Sequence, residues 1–127
     1  MINWLTREEL LIYHGDALRQ DGGLQGIRSE ELLESAMGRP VNKHAYSECT
    51  LFDLAAAYAF GISRNHPFLD GNKRTAGLAI VAFLFKNGFL FRPDEQELIA
   101  YMLRLAAGEL AEDELAEWIE RSSRPRE

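Results

Sequence analysis

The segment Arg64-Asn65-His66-Pro67-Phe68-Leu69-Asp70-Gly71-Asn72-Lys73-Arg74 joins two apolar stretches, yet it is dense in polar and titratable groups. His66 carries an imidazole that titrates near neutral pH and can take a proton from a hydroxyl. Asp70 offers carboxylate oxygens to a hard cation such as Mg²⁺, which is usually shared with phosphate oxygens. Gly71 lets backbone approach a ligand closely. A helix starting at about Asn72 would turn its unpaired N–H groups and the positive end of its dipole toward the same place. Lys73 and Arg74 add charged donors. A base, a metal ligand and a phosphate clamp are the parts that phosphoryl transfer needs.

Each residue also has an ordinary reading. His66 alone is a surface or hydrogen-bonded histidine, and Asp70 before a helix is an N-cap. Lys73 and Arg74 form a solvated pair, although cations in a first turn oppose the helix dipole. Phe68 is core under either reading and would pin the loop. His14, on the apolar face of an earlier helix, reads as a buried structural histidine.

The elements that hold this segment follow from capping and periodicity. Thr6-Arg7-Glu8-Glu9 is a capping box, and Leu10, Leu11, His14, Ala17 and Leu18 then recur at helical spacing up to Asp21-Gly22-Gly23. Ser29 caps a helix predicted through Met37 and closed by Gly38-Arg39-Pro40. Thr50-Leu51-Phe52-Asp53 opens a very apolar helix to about Ser63. After the turn with Pro67 and Gly71, a helix runs from about Asn72 to Lys86 and ends at Asn87-Gly88. Phe89 to Arg92 is a short extended piece, Asp94 caps a helix to Ala107, and a last helix covers about Glu112 to Arg121. Residues 122–127 are expected to fray. The expectation is one all-α domain over 1–127, a bundle of five to six helices with a buried central helix.

His-Pro-Phe-Leu-Asp-Gly-Asn-Lys-Arg, residues 66 to 74, resembles the signature of the Fic/Doc family, and specifically its death-on-curing branch. Thr6 to His14 looks like the family's first helix. Gly22-Gly23-Leu24-Gln25-Gly26 looks like its following loop, and Asn87-Gly88-Phe89 like its helix end. The resemblance implies that His66 is the base, that Asp70 holds Mg²⁺, and that Gly71, Asn72, Lys73 and Arg74 bind the phosphates of ATP. Fic enzymes typically carry glycine where this chain has Lys73, and they transfer AMP to a protein hydroxyl. Doc proteins carry lysine there. That side chain turns the nucleotide around, so that the γ-phosphoryl group faces the histidine and the enzyme acts as a protein kinase on elongation factor Tu. His66-Pro67-Phe68 and Gly71 match the Fic form while Lys73 matches the Doc form, which leaves adenylyl transfer as the alternative. A catalytically silent binding module is a second one, against which His66, Asp70 and Arg74 together weigh.

The resemblance further implies a toxin neutralised by a small antitoxin protein in trans. Many Fic proteins silence themselves with a helix reading Ser or Thr, three residues, Glu, then Gly or Asn. No such run occurs in this chain, so inhibition is expected from a separate partner. The apolar stripe of the first helix, Leu10 to Leu18, is its candidate docking face, and the competing reading is that the stripe is core, above all at Leu10, Leu11 and Leu18.

Composition sets the bounds. Hydrophobic residues make up 46% and charged residues 27% of the 127, as in an ordinary globular domain. The net charge of −6 argues against direct nucleic-acid binding, which needs a cationic surface. Against that acidic background Arg64, His66, Lys73 and Arg74 crowd potential cations into one segment. The lone Cys49 excludes an internal disulfide framework, and it reads as a small buried hydrophobe. The run Ala76 to Phe85 would span only about 15 Å as a helix, half a bilayer core, so no membrane segment is expected. The first residues lack a basic start followed by an apolar core, so a cytoplasmic location is expected.

Overall fold

Thr6 and Thr50 each start a helix by the same local device. The Thr6 hydroxyl accepts the Glu9 N–H at 3.1 Å, and the Glu9 carboxylate accepts the Thr6 N–H at 2.8 Å. Thr50 and Asp53 repeat the exchange at 3.1 and 2.8 Å. Each box satisfies donors that a helix start leaves unpaired. The computed structural model describes residues 1–127. Its helices are α1 (Arg7–Asp21), α2 (Glu30–Tyr46), α3 (Leu51–Asn65), α4 (Asn72–Lys86), α5 (Glu95–Ala106) and α6 (Glu112–Arg121). Two short strands, β1 (Phe89–Phe91) and β2 (Ser123–Pro125), complete it. The chain is therefore all-α with a minimal sheet. None of its helices is long and apolar enough to cross a membrane.

The central helix is α3, packed by α2, α4 and α6. It buries Leu54, Tyr58, Ile62 and the small residues Ala55, Ala56, Ala57, Ala59 and Gly61. Each buried Leu or Ile contributes about 1.5–3 kcal/mol. The small residues allow close helix approach. A Cβ at Gly61 would stand 3.2 Å from Ala36 Cα and 3.3 Å from its carbonyl oxygen, backbone against side chain. Gly61→Val would force α2 and α3 apart, an overpacking that costs about 1–3 kcal/mol.

That contact bears on a correction. The second helix does not end at Gly38-Arg39-Pro40 but runs on to Tyr46 with Pro40 inside it. Pro40 has no N–H to give the Ala36 carbonyl, a loss that normally breaks a helix. Here the carbonyl lies against Gly61, Pro40 is buried, and the extra turns are tied to α6. Arg39 and Lys43 both reach Glu112, at 2.5 and 3.1 Å.

The tail is a second correction. Residues 122–127 do not all fray, because β2 pairs antiparallel with β1 and sets Leu90 opposite Arg124. Arg92 N–H donates to the Ser122 carbonyl and Arg126 N–H to the Gly88 carbonyl, both at 2.7 Å. Cys49 is half-buried rather than buried, and its Sγ lies 3.6 Å from the Lys43 carbonyl.

Behind β1, Trp118 of α6 is fully buried. Phe91 meets its ring edge-on at 5.3 Å, Tyr101 of α5 stacks on it at 4.2 Å, and its indole N–H donates to Glu97 at 3.1 Å. This cluster seats α5 beside α4. The two helices border an open cleft of about 790 Å³ whose lining includes Leu78, Val81, Ile99 and Leu103.

Candidate active site

The loop between α3 and α4 takes its shape from two left-handed residues. α3 closes at His66, whose N–H donates to the Ile62 carbonyl at 3.1 Å with φ 47° and ψ 59°. His66 is the only non-glycine residue in the chain with positive φ. Such a conformation is uncommon for residues with a Cβ, and it is often found at functional sites. The imidazole is exposed. At the other end Gly71, with φ 83°, caps α4. A Cβ there would lie 3.3 Å from Leu18 and 3.5 Å from the His14 ring, so conformation and space both favour glycine.

Phe68 is buried beneath the loop, stacked on the His14 ring at 3.8 Å and 11°. His14 is buried as expected, and its Nε2 lies 2.8 Å from the Asp70 backbone carbonyl. A carbonyl only accepts, so this nitrogen carries the proton and donates. The Asn72 carboxamide turns inward as well. It accepts the Phe68 N–H at 3.1 Å and donates to the Phe68 carbonyl at 2.9 Å. The side chain is thus spent on the loop, and what Asn72 can offer an anion is its backbone N–H in the first turn of α4.

Asp70 is half-buried and does not cap α4, which has no side-chain cap. One carboxylate oxygen accepts the Leu24 N–H at 2.7 Å. A Cβ at Gly23 would stand 2.9 Å from Asp70 Cβ, so only glycine lets the two loops meet there. Nowhere do three or more His, Cys, Asp or Glu side chains converge so as to hold a metal ion. A single carboxylate suits Mg²⁺, whose shell is commonly completed by substrate phosphates and water.

Lys73 and Arg74 are exposed in the first turn of α4, at one end of the α4–α5 cleft. Arg74 is not free, because its Nε donates to Asp21 at the end of α1 at 2.6 Å. The pair is roughly half exposed on both sides, so an incoming anion can compete for it at little cost. His66, Asp70, Gly71 and the α4 start thus share one loop, bordered by residues 22–29.

Three contributors escaped the sequence reading. Arg28 donates to the Asn65 and His66 carbonyls, Leu24 supplies the N–H for Asp70, and Asp21 pairs with Arg74. All three belong to the glycine-rich loop or its borders, and their partners stand 37 to 53 residues away. The expected docking stripe on α1 is largely core, with Leu10, His14 and Ala17 buried and Leu11 and Leu18 half-buried. The open apolar surface is instead the α4–α5 cleft, where Val81, Ile99 and Leu103 are exposed.

A model of the Fic/DOC family matches residues 4–84, which include the whole loop. A protein named "Protein kinase doc" from Escherichia phage P1 is 34% identical over 118 residues, 92% of this chain and 93% of its own. A protein named "Toxin Doc" from Mycolicibacterium smegmatis is 38% identical over 98 residues, 74% of this chain and 72% of its own.

Proposed function

Since the chain belongs to the Fic/DOC family, we propose that it is a Doc-type toxin that moves the γ-phosphoryl group of ATP onto a hydroxyl of a translation factor of the elongation factor Tu class. The observation that carries this reading is the start of α4. It is the one long helix that begins on a left-handed glycine with no side-chain cap and no acid in its first turn. Its unpaired N–H groups and the charges of Lys73 and Arg74 suit a phosphate group. His66, exposed at the other end of the loop, would take the proton of an attacking hydroxyl. Asp70 carries the negative charge that would hold Mg²⁺, and the bound ion would offset charge on the phosphate oxygens. Arg74 would leave Asp21 for a phosphate. The similarity to a relative named as a kinase supports phosphoryl over adenylyl transfer.

The test mixes the chain with elongation factor Tu and ATP labelled at either the α or the γ position. Label from γ alone is the expected result. Label from α alone would establish adenylyl transfer, for which the Fic-like residues His66, Pro67, Phe68 and Gly71 speak, and no label at all would leave a silent module. Expression alone should arrest growth. Co-expression with the adjacent reading frame should relieve the arrest through a small antitoxin protein.

A further inference from the structure

Arg28 lies outside the motif, yet it makes more contacts to the backbone beneath His66 than any residue of the motif does. Its Nε donates to the His66 carbonyl at 2.7 Å and its Nη2 to the Asn65 carbonyl at 2.6 Å. Its own backbone N–H donates to the Pro67 carbonyl at 2.7 Å. One residue thus takes three consecutive carbonyls where α3 ends.

Carbonyls at a helix end have no partner within the helix, and a cation suits that end of the dipole. An ordinary C-cap would account for that much. Two further facts go beyond it. The carbonyls belong to the turn that holds His66 left-handed, a conformation that residues with a Cβ leave when nothing retains them. And the contact is a fork: the two guanidinium donors span adjacent carbonyls, which a lysine ammonium cannot reproduce.

We infer that Arg28 is a positioning residue for His66, fixing the left-handed turn and so the direction in which the imidazole leaves the backbone. The inference rests on reading His66 as the base. The Arg28 side chain is exposed, so truncating it opens no core cavity. Asn65 keeps a separate tie through its carboxamide to the Leu32 carbonyl at 3.0 Å, which holds α3 on α2 without Arg28.

The test uses full-length Arg28→Ala and Arg28→Lys proteins. Carbon-13 shifts of the His66 Cα, Cβ and carbonyl report its backbone conformation, and transferase assays with ATP give kcat and KM. Both variants should remain folded, with His66 shifts moved away from the left-handed values. The kcat should fall about 10- to 100-fold, as misplacement of a reacting group does. The KM for ATP should change less than about threefold, since nucleotide binding lies at α4. Wild-type His66 shifts in both variants, or a lowered melting temperature with kcat intact, would overturn the inference. Should Arg28→Ala fail to fold, Arg28→Lys alone decides. If even the wild-type protein transfers nothing from ATP, the functional reading of His66 fails, while the shifts still decide whether Arg28 holds the turn.

Discussion

α3 and α4 are neighbours of equal length, 15 residues each, and they begin in opposite ways. α3 opens with a reciprocal Thr50–Asp53 box and an acid in its first turn. α4 opens on Gly71 with no side-chain cap and with Lys73 and Arg74 where the dipole disfavours cations. Where the fold is the only demand, local rules are obeyed. At the proposed phosphate site they are broken, and the surrounding packing supports the departure. The same contrast separates the two histidines of the region. His14 is buried, stacked on Phe68 and hydrogen-bonded, whereas His66 is exposed and left-handed.

The contrast is broken most severely by His66→Ala. Target modification should fall by about 10²–10⁴, the usual contribution of a positioned base. The melting temperature should move little because the side chain is exposed. A labelled-ATP assay beside a thermal melt reads both, and a stable variant with unchanged turnover would remove His66 from the chemistry. Asp70→Asn comes next. The amide oxygen can still accept the Leu24 N–H, so the loops should stay joined while the charge proposed to hold Mg²⁺ is gone. The rate should drop about tenfold or more and should recover in part at high Mg²⁺.

At the capped end the outcome should be reversed. Thr50→Ala should cost about 1 kcal/mol of stability, readable by denaturant titration, with transfer activity untouched. Alkaline melting probes the core that α3 fills. Burial pushes the Tyr58 hydroxyl up to about 12, from 10.0, while its bond from the Leu5 N–H works the other way. The unfolded chain therefore ionises first. The contribution from Tyr58 is complete below pH 10.0 and is lost as pH rises toward about 12. Melts over that range should fall in the wild-type protein, and fall less steeply in Tyr58→Phe. At the acid side a smaller effect is expected from Glu9. Its carboxyl is held below 4.5, mainly by the Lys86 ammonium, so its share of stability is present above 4.5 and is lost as pH falls.

Much of this was legible in the sequence because it is local. The boxes at Thr6 and Thr50, the stops at Gly22 and Asn87 and the start of α4 each depend on residues within a turn of one another. The motif itself was legible as a dense polar island between apolar helices. What stayed hidden depends on distant partners. Pro40 could be carried inside α2 only because Gly61 and Glu112 lie across from it. The tail acquired order only because β1 was there to pair with. The exception is local: the Asn72 carboxamide closes on Phe68 four residues earlier, a contact that spacing alone does not reveal.

The packing behind β1 also equips the protein with an optical gauge. The chain has two tryptophans, and Trp118 is the one fully enclosed. Its indole stacks on Tyr101 and donates to Glu97, and both of those residues belong to α5, one wall of the open cleft. Emission from Trp118 therefore follows the seating of that wall. With Trp4 replaced by Phe, a single tryptophan would register whatever displaces or clamps α5, with no label attached and no part of the loop from His66 to Arg74 altered.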